Sequence, residues 1–345
     1  MTPELKPPVR IGVVGCGGVA QIVHLPNLIN HEHASVEALC DIDTRKAAIV
    51  ANRFGIKNIY GDIEEMLNHH KLDAVFILTP TNMHLPMSLM ALRHKLHVFI
   101  EKPVTRNARE AHRILETAKK NNCVVMVGMH SRFRDDIIHL NQLLEEDQLG
   151  DIFMIKSDWF QAHAQFIKQP WLSNKNISGG GVLLDLGIQL LDTSWWLAKK
   201  PRLKTVKAIA KRMNPNSSVE DFCHFVLTFT NDLIVSCHIS WSFPIPSDRF
   251  HAEIYTTNGY CTLNPFRIER MHRGKFNDIT PKVPQNGATL FQNTYRREVD
   301  HFIQYLIGET DTLDSPLEDA CLVMEMIDAI YESIATGNEI HLPLD

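Results

Sequence analysis

The stretch Val9-Arg10-Ile11-Gly12-Val13-Val14-Gly15-Cys16-Gly17-Gly18-Val19-Ala20 decides the fold. A short β-branched run ends at Gly15, and a helix-length segment runs on to about Asn30. Between them stands the pattern G-x-G-x-x-G/A. Alone it is a weak signal, but directly after a strand and at the opening of a helix it has a physical meaning. The first glycine allows the tight turn. The second lets the backbone approach a pyrophosphate, which rests on the amides and dipole of the helix N-terminus. Gly15, Gly17, Gly18, Val19 and Ala20 are therefore the expected dinucleotide-binding residues. Asp41 comes twenty-one residues after Ala20, at the end of a second apolar run, 35–40. A carboxylate there accepts both ribose hydroxyls and repels a 2′-phosphate, which favours NAD over NADP. Arg45 is the residue that would instead meet a phosphate. The plainer reading is a tight strand–helix turn with a capping aspartate.

Outward from this loop, strands and helices alternate. Helical patterns over 44–54, 63–69, 86–95 and 107–120 separate strands at 59–60, 72–78, 97–100 and 123–127. The run 72–78 is almost continuously apolar, as in a strand buried on both faces of a parallel sheet. Asn107 with Glu110 gives a capping-box signal. Such alternation implies parallel pairing with right-handed crossovers, hence a doubly wound sheet. After Gly150 the rhythm changes to β-rich runs at 153–159, 206–213, 222–230, 233–241 and 251–256. Asn231-Asp232 and Asn258-Gly259 supply turns, so neighbours there pair antiparallel. One apolar helix, 182–198, lies among them. Two helices close the chain, the last capped by Ser315 with Pro316 at its first position and Glu318 completing the box. The expected organisation is an α/β Rossmann domain over 1–128, then an α+β domain over 129–345 with an open, mainly antiparallel sheet. The C-terminal helix is free to return to the first domain.

Composition bounds the function. The chain has 345 residues, 44% of them hydrophobic, and a net charge of −5, so neither disorder nor phosphate-driven nucleic-acid binding is expected. The seven cysteines form no C-x-x-C, which reads as free thiols in a reducing cytoplasm. No apolar run approaches the ~18 residues of a membrane span, and the first residues lack a signal-peptide core. The histidines are scattered without metal-ligand spacing, and no metal is expected.

The loop and Asp41 are joined by Thr79-Pro80-Thr81-Asn82-Met83-His84, by Glu101-Lys102-Pro103 and by Gly179-Gly180-Gly181-Val182-Leu183-Leu184-Asp185-Leu186-Gly187. Together these resemble the Gfo/Idh/MocA oxidoreductases, the glucose–fructose oxidoreductase and inositol dehydrogenase family, over nearly the whole chain. The resemblance implies NAD(P)-linked oxidation or reduction at a carbinol carbon of a sugar or cyclic polyol. It also implies a homodimer or homotetramer packed through the second-domain sheet.

In open α/β sheets, ligands bind at the carboxyl ends of the parallel strands. Thr79, Pro80, Asn82, His84, Glu101 and Lys102 fall there and are expected near the cofactor. Lys102 is a cation placed to polarise a substrate oxygen as charge develops. On the 182–198 helix, Asp185, Gln189 and Asp192 share one face. Arg132, just past the sixth strand, matches a family segment near the substrate. The family pattern on the helix reads Asp-x-x-x-His, with the histidine taking the substrate proton, and here that position is Gln189. Glutamine does not titrate near neutral pH. Either Lys102, its pKa lowered by burial, takes the proton, or another residue such as His163 does. In the third reading the protein is a non-catalytic NAD-dependent sugar sensor.

Overall fold

The computed structural model describes residues 3–162, 170–284 and 286–342. Six strands, β1 (Val9–Val14), β2 (Ala34–Cys40), β3 (Asn58–Tyr60), β4 (Ala74–Ile77), β5 (His97–Glu101) and β6 (Val125–Gly128), form a wholly parallel sheet in the order β3-β2-β1-β4-β5-β6. The order reverses between β1 and β4, the switch point where open α/β sheets bind ligands. The crossovers use α1 (Leu25–Ile29), α2 (Thr44–Phe54), α3 (Ile63–His69), α4 (His84–Arg93) and α5 (Ala108–Asn121). The helix expected after the glycine loop is present, but its first turn, Ala20–His24, is π-helical.

The rest of the chain supplies α6 (Asp135–Glu145), β7 (Ile152–Ala162), α7 (Lys175–Ser178), α8 (Ile188–Leu197), β8 (Leu203–Lys211), β9 (Phe222–Phe229), β10 (Ile234–Phe243), β11 (Arg249–Thr256), β12 (Gly259–Leu263), β13 (Arg267–His272), β14 (Lys275–Asp278), α9 (Gly287–Leu306), α10 (Leu317–Thr336) and β15 (Ile340–His341). Its sheet runs β14-β13-β12-β11-β7-β10-β9-β8-β15. Every pair is antiparallel except β7 with β10. Side chains alternate across β9, so Cys223, Phe225, Leu227 and Phe229 are buried and the residues between them half-buried.

Two compact units result. The first takes the described residues up to Arg134 together with those from Asn286 to Cys321, and the second takes the remainder, the division falling within α10. The sequence reading grouped 286–321 with the second domain. Its packing explains the difference: Val299, Phe302, Ile303 and Leu306 of α9 join the same apolar core as Val13, Phe76 and Phe99 of the Rossmann sheet. Phe302 lies edge-on to Phe76, ring centroids 5.7 Å apart. Ser315, expected to cap α10, donates its hydroxyl to the Val127 carbonyl at the end of β6. No helix among the described residues is long and apolar enough to cross a membrane.

Candidate active site

The glycine loop has the geometry its sequence demands. Gly15 sits at φ +96°, and a Cβ there would lie 2.6 Å from the Leu78 carbonyl oxygen. Only glycine fits, on conformation and on space. Gly17 and Gly18 have nothing within 4 Å of a Cβ position, so this face of the turn is open to a pyrophosphate. Val19 leads into the π-helical turn, and Ala20 is buried. Asp41 directly follows β2 and braces the loop: Oδ2 accepts from the Cys16 amide at 2.7 Å, and Oδ1 from the Asp43 amide at 2.9 Å. The cation on Asp41 is Lys46, at 2.9 Å, whereas Arg45 is exposed. Burial pushes the Cys16 thiol up to about 12, so it stays protonated.

The ends of β4 and β5 are tied by His84. Its Nε2 meets the Thr79 carbonyl at 2.8 Å and its Nδ1 the Pro103 carbonyl at 2.9 Å. Burial holds this imidazole below its ordinary pKa despite the two carbonyls. His84 therefore acts from inside the fold, fixing the loops on which Asn82 and Lys102 stand. Thr79 and Asn82 are half-buried, Pro80 exposed and Lys102 half-buried. Glu101 is clamped at both oxygens, Oε1 by His24 Nε2 at 2.6 Å and Oε2 by the Lys102 amide at 3.0 Å. Burial works to raise this carboxyl, but the His24 hydrogen bond and the neighbouring cations bring it below its usual range. Arg132 is buried, and its Nη1 donates to Asp319 Oδ2 and to the Asp314 carbonyl, each at 2.6 Å.

In the second unit, the triple glycine opens a π-helical turn, Leu183–Gly187, that runs into α8. Glu220 caps this start: one oxygen accepts from the Gly181 amide, the Leu183 amide and the Tyr331 hydroxyl at 3.0–3.1 Å. A Cβ on Gly181 would collide with the Glu220 carbonyl, and one on Gly180 with the Tyr331 hydroxyl, which is why glycines stand there. Burial pushes the Glu220 carboxyl up against the pull of its donors. Asp185 accepts from Trp241 Nε1 at 3.1 Å. Gln189 is buried, its Nε2 donating to the Asp185 carbonyl at 2.9 Å and its Oε1 buried with no hydrogen-bond partner among the described residues. Asp192 is also buried. His163 lies outside the described residues.

Residues 9–129 match the family described as "Oxidoreductase family, NAD-binding Rossmann fold", and residues 137–262 match the "GFO/IDH/MocA C-terminal domain". An uncharacterised oxidoreductase of Schizosaccharomyces pombe is 30% identical over 97% of this chain and 99% of its own length. The chain belongs to the Gfo/Idh/MocA oxidoreductase family. D-glucoside 3-dehydrogenase of Escherichia coli is 25% identical, covering 97% of this chain and 98% of that one. The solved structure of a levoglucosan dehydrogenase with NADH and levoglucosan superposes with a TM-score of 0.87 at 20% identity, covering 97% and 99%; at that identity the likeness shows the fold. This Gfo/Idh/MocA member is an NAD(P)-dependent dehydrogenase.

Sequence reasoning missed Lys46, Glu220, Tyr331, His24 and Glu298. Lys46 had a signal, since it lies one residue from the chosen Arg45 on the first turn of α2. The others are set by packing between segments 37 to 197 residues apart and leave no local pattern.

Proposed function

We propose that the protein moves hydride between nicotinamide, NAD rather than NADP, and a secondary carbinol or ketone carbon of a sugar or cyclic polyol. The observation that carries this is the strand-end pair Glu101-Lys102, where a buried carboxylate clamped by His24 fixes the backbone of a half-buried lysine. The open face at Gly17 and Gly18, with Asp41 beyond it, fits the dinucleotide. Nicotinamide, when bound, supplies or accepts the hydride. Lys102 takes the part of polar catalyst, holding the substrate oxygen and stabilising its developing charge. Thr79, Asn82 and the loop fixed by His84 are assigned to the cofactor. Asp185 and Gln189 of the second unit are assigned to substrate hydroxyls, Gln189 with a buried acceptor oxygen for an O–H donor. The sugar class is supported by what the relatives are named for. Work in the cytoplasm and self-association through the half-buried outer face of the second-unit sheet complete the proposal.

One observation favours a second reading, an NAD-dependent sugar sensor: the position expected for a proton acceptor is a glutamine whose amide nitrogen is spent on a helix carbonyl. The test is reduction of NAD with a panel of sugars and polyols, for wild type and Gln189→His. An enzyme relying on Lys102 turns over at least one polyol as wild type. A sensor shows NAD and sugar in thermal-shift binding but no turnover, and Gln189→His is then the variant that gains it, with a profile rising through about pH 6.5.

A further inference from the structure

Among the described residues Glu298 is the most completely buried acid in the first unit, with zero exposure, and neither carboxyl oxygen has a hydrogen-bond partner among them. It lies on α9 between Tyr295 and Phe302, spacings of three and four that put all three on one helix face. That face meets the end of β5. Phe302 packs on Phe99, ring centroids 5.8 Å apart, and Phe99 and Glu101 are two residues apart on a strand, hence on one side of the sheet. Tyr295 stacks on His130 at 4.6 Å and meets His24 edge-on at 6.1 Å. Glu298 therefore stands opposite Glu101.

The two acids have opposite surroundings. Glu101 has a donor on each oxygen, from His24 and from the Lys102 amide. Glu298 has none among the described residues, and an isolated ionised carboxylate in an apolar interior is so costly that the group takes up a proton instead. We propose that Glu298 is a proton-binding residue built into this unit: it stands as a neutral acid facing the ionised Glu101, so that the pair carries one negative charge beneath Lys102. It touches neither cofactor nor substrate and is a positioning residue acting through Glu101. A second charge would repel the first and loosen the clamp on the Lys102 backbone. The role given to Lys102 rests on the function proposed above, but the protonation of Glu298 does not.

The charged and titratable groups around the pair support this assignment. His24 comes from the π-helical turn after the glycine loop, Lys102 from the residue just past β5 and His130 from the turn after β6. Burial lowers His130 to about 4, so it is neutral and offers Glu298 no charge. On α9 itself, Arg297 acts on Asp300 and His301 lies 3.9 Å from Asp314. Burial first, and then the charge of Glu101, drive Glu298 far above the ordinary carboxyl range.

The experiment uses the full chain, with ¹³C-labelled glutamate carboxyls followed by NMR and infrared spectroscopy from pH 5 to 9. Wild type is expected to show a protonated carboxyl at pH 7 that is missing from Glu298→Gln. In Glu101→Gln the same signal should titrate at lower pH, because the like charge is gone. Glu220, whose carboxyl burial also pushes upward, has local donors and should not respond. Urea unfolding adds a linkage readout. Above the unfolded-state value of 4.5 the unfolded chain gives up a proton that the folded chain keeps. The unfolding constant of wild type should therefore rise against that of Glu298→Gln by about tenfold per pH unit until the folded acid itself ionises. If wild type shows no such signal at pH 7, or the signal survives Glu298→Gln, or Glu101→Gln leaves its titration in place, the proposal is overturned. None of these readouts requires turnover, so an inactive protein would count against the proposed function and leave this result standing. Should Glu298→Gln not fold, the wild-type titration and its response to Glu101→Gln decide alone.

Discussion

The ammonium of Lys46 lies 2.9 Å from Oδ2 of Asp41, so the acid just past β2 carries its own counter-ion. Asp41 is buried and bound to the glycine loop, while the lysine side chain is 40% exposed and able to swing. A 2′-phosphate brought to this place would be repelled by Asp41 and attracted by Lys46. On the proposed assignment of Asp41 to the cofactor ribose, the lysine softens the discrimination against a 2′-phosphate.

Lys46→Ala should sharpen the preference for NAD. Calorimetric titration is expected to show the ratio of NADP to NAD dissociation constants rising by about tenfold, the equivalent of ~1.4 kcal/mol. Arg45→Ala should leave the ratio near that of wild type. The reverse pattern would give the phosphate to Arg45.

Two ion pairs near the start of α10 separate burial from mere proximity. Arg132 and Asp319 meet at 2.6 Å with side chains 1% and 10% exposed. Asp319→Ala leaves a buried guanidinium short of its carboxylate and should cost about 3–5 kcal/mol in urea unfolding. Lys119 and Glu318, at 3.8 Å and both more than half exposed, should contribute under ~0.5 kcal/mol on Glu318→Ala.

The glycines make opposite predictions. Gly17→Ala meets open space and should change stability by less than ~0.5 kcal/mol, yet weaken NAD because the added methyl stands where the pyrophosphate would rest. Gly181→Ala drives a methyl into the Glu220 carbonyl and should cost about 1–3 kcal/mol in denaturant unfolding. Cofactor titration beside urea unfolding reads both.

These contrasts show what a sequence makes legible. The Rossmann order, the glycine loop and Asp41 follow from local patterns: a strand, a forced turn and an acid at a fixed spacing. The Asp185–Gln189 relation follows from helical periodicity, and the structure realises it as a hydrogen bond along the helix. The return of α9 to the first core is not local, since its apolar face would suit either unit. Nor are the Glu220 cap, the His24–Glu101 clamp and the burial of Arg132, each made by residues far apart in the chain. The π-helical openings at Ala20 and Leu183 likewise carry no periodicity that a sequence pattern registers.

His130 should give stability an acid limb. Burial lowers it to about 4 from 6.5, so below 6.5 the unfolded chain takes up a proton that the folded chain refuses. Stability from this group is present above pH 6.5 and is lost as the pH falls toward 4, by about 3 kcal/mol in all. His130→Phe keeps a ring against Tyr295 and should flatten the fall in midpoint urea concentration between pH 6.5 and 4. An unchanged slope would assign the limb to other histidines whose pKa burial lowers, among them His84 and His97.

The central claim is that Lys102 acts on the substrate oxygen. The direct measurement is kcat for NAD reduction by the best polyol of the panel, wild type against Lys102→Ala, beside the NAD dissociation constant of each. A polar catalyst removed from the reacting oxygen should lower kcat by about 10²–10⁴-fold with NAD binding held within a few-fold. A Lys102→Ala protein that keeps kcat within about threefold of wild type would contradict the account.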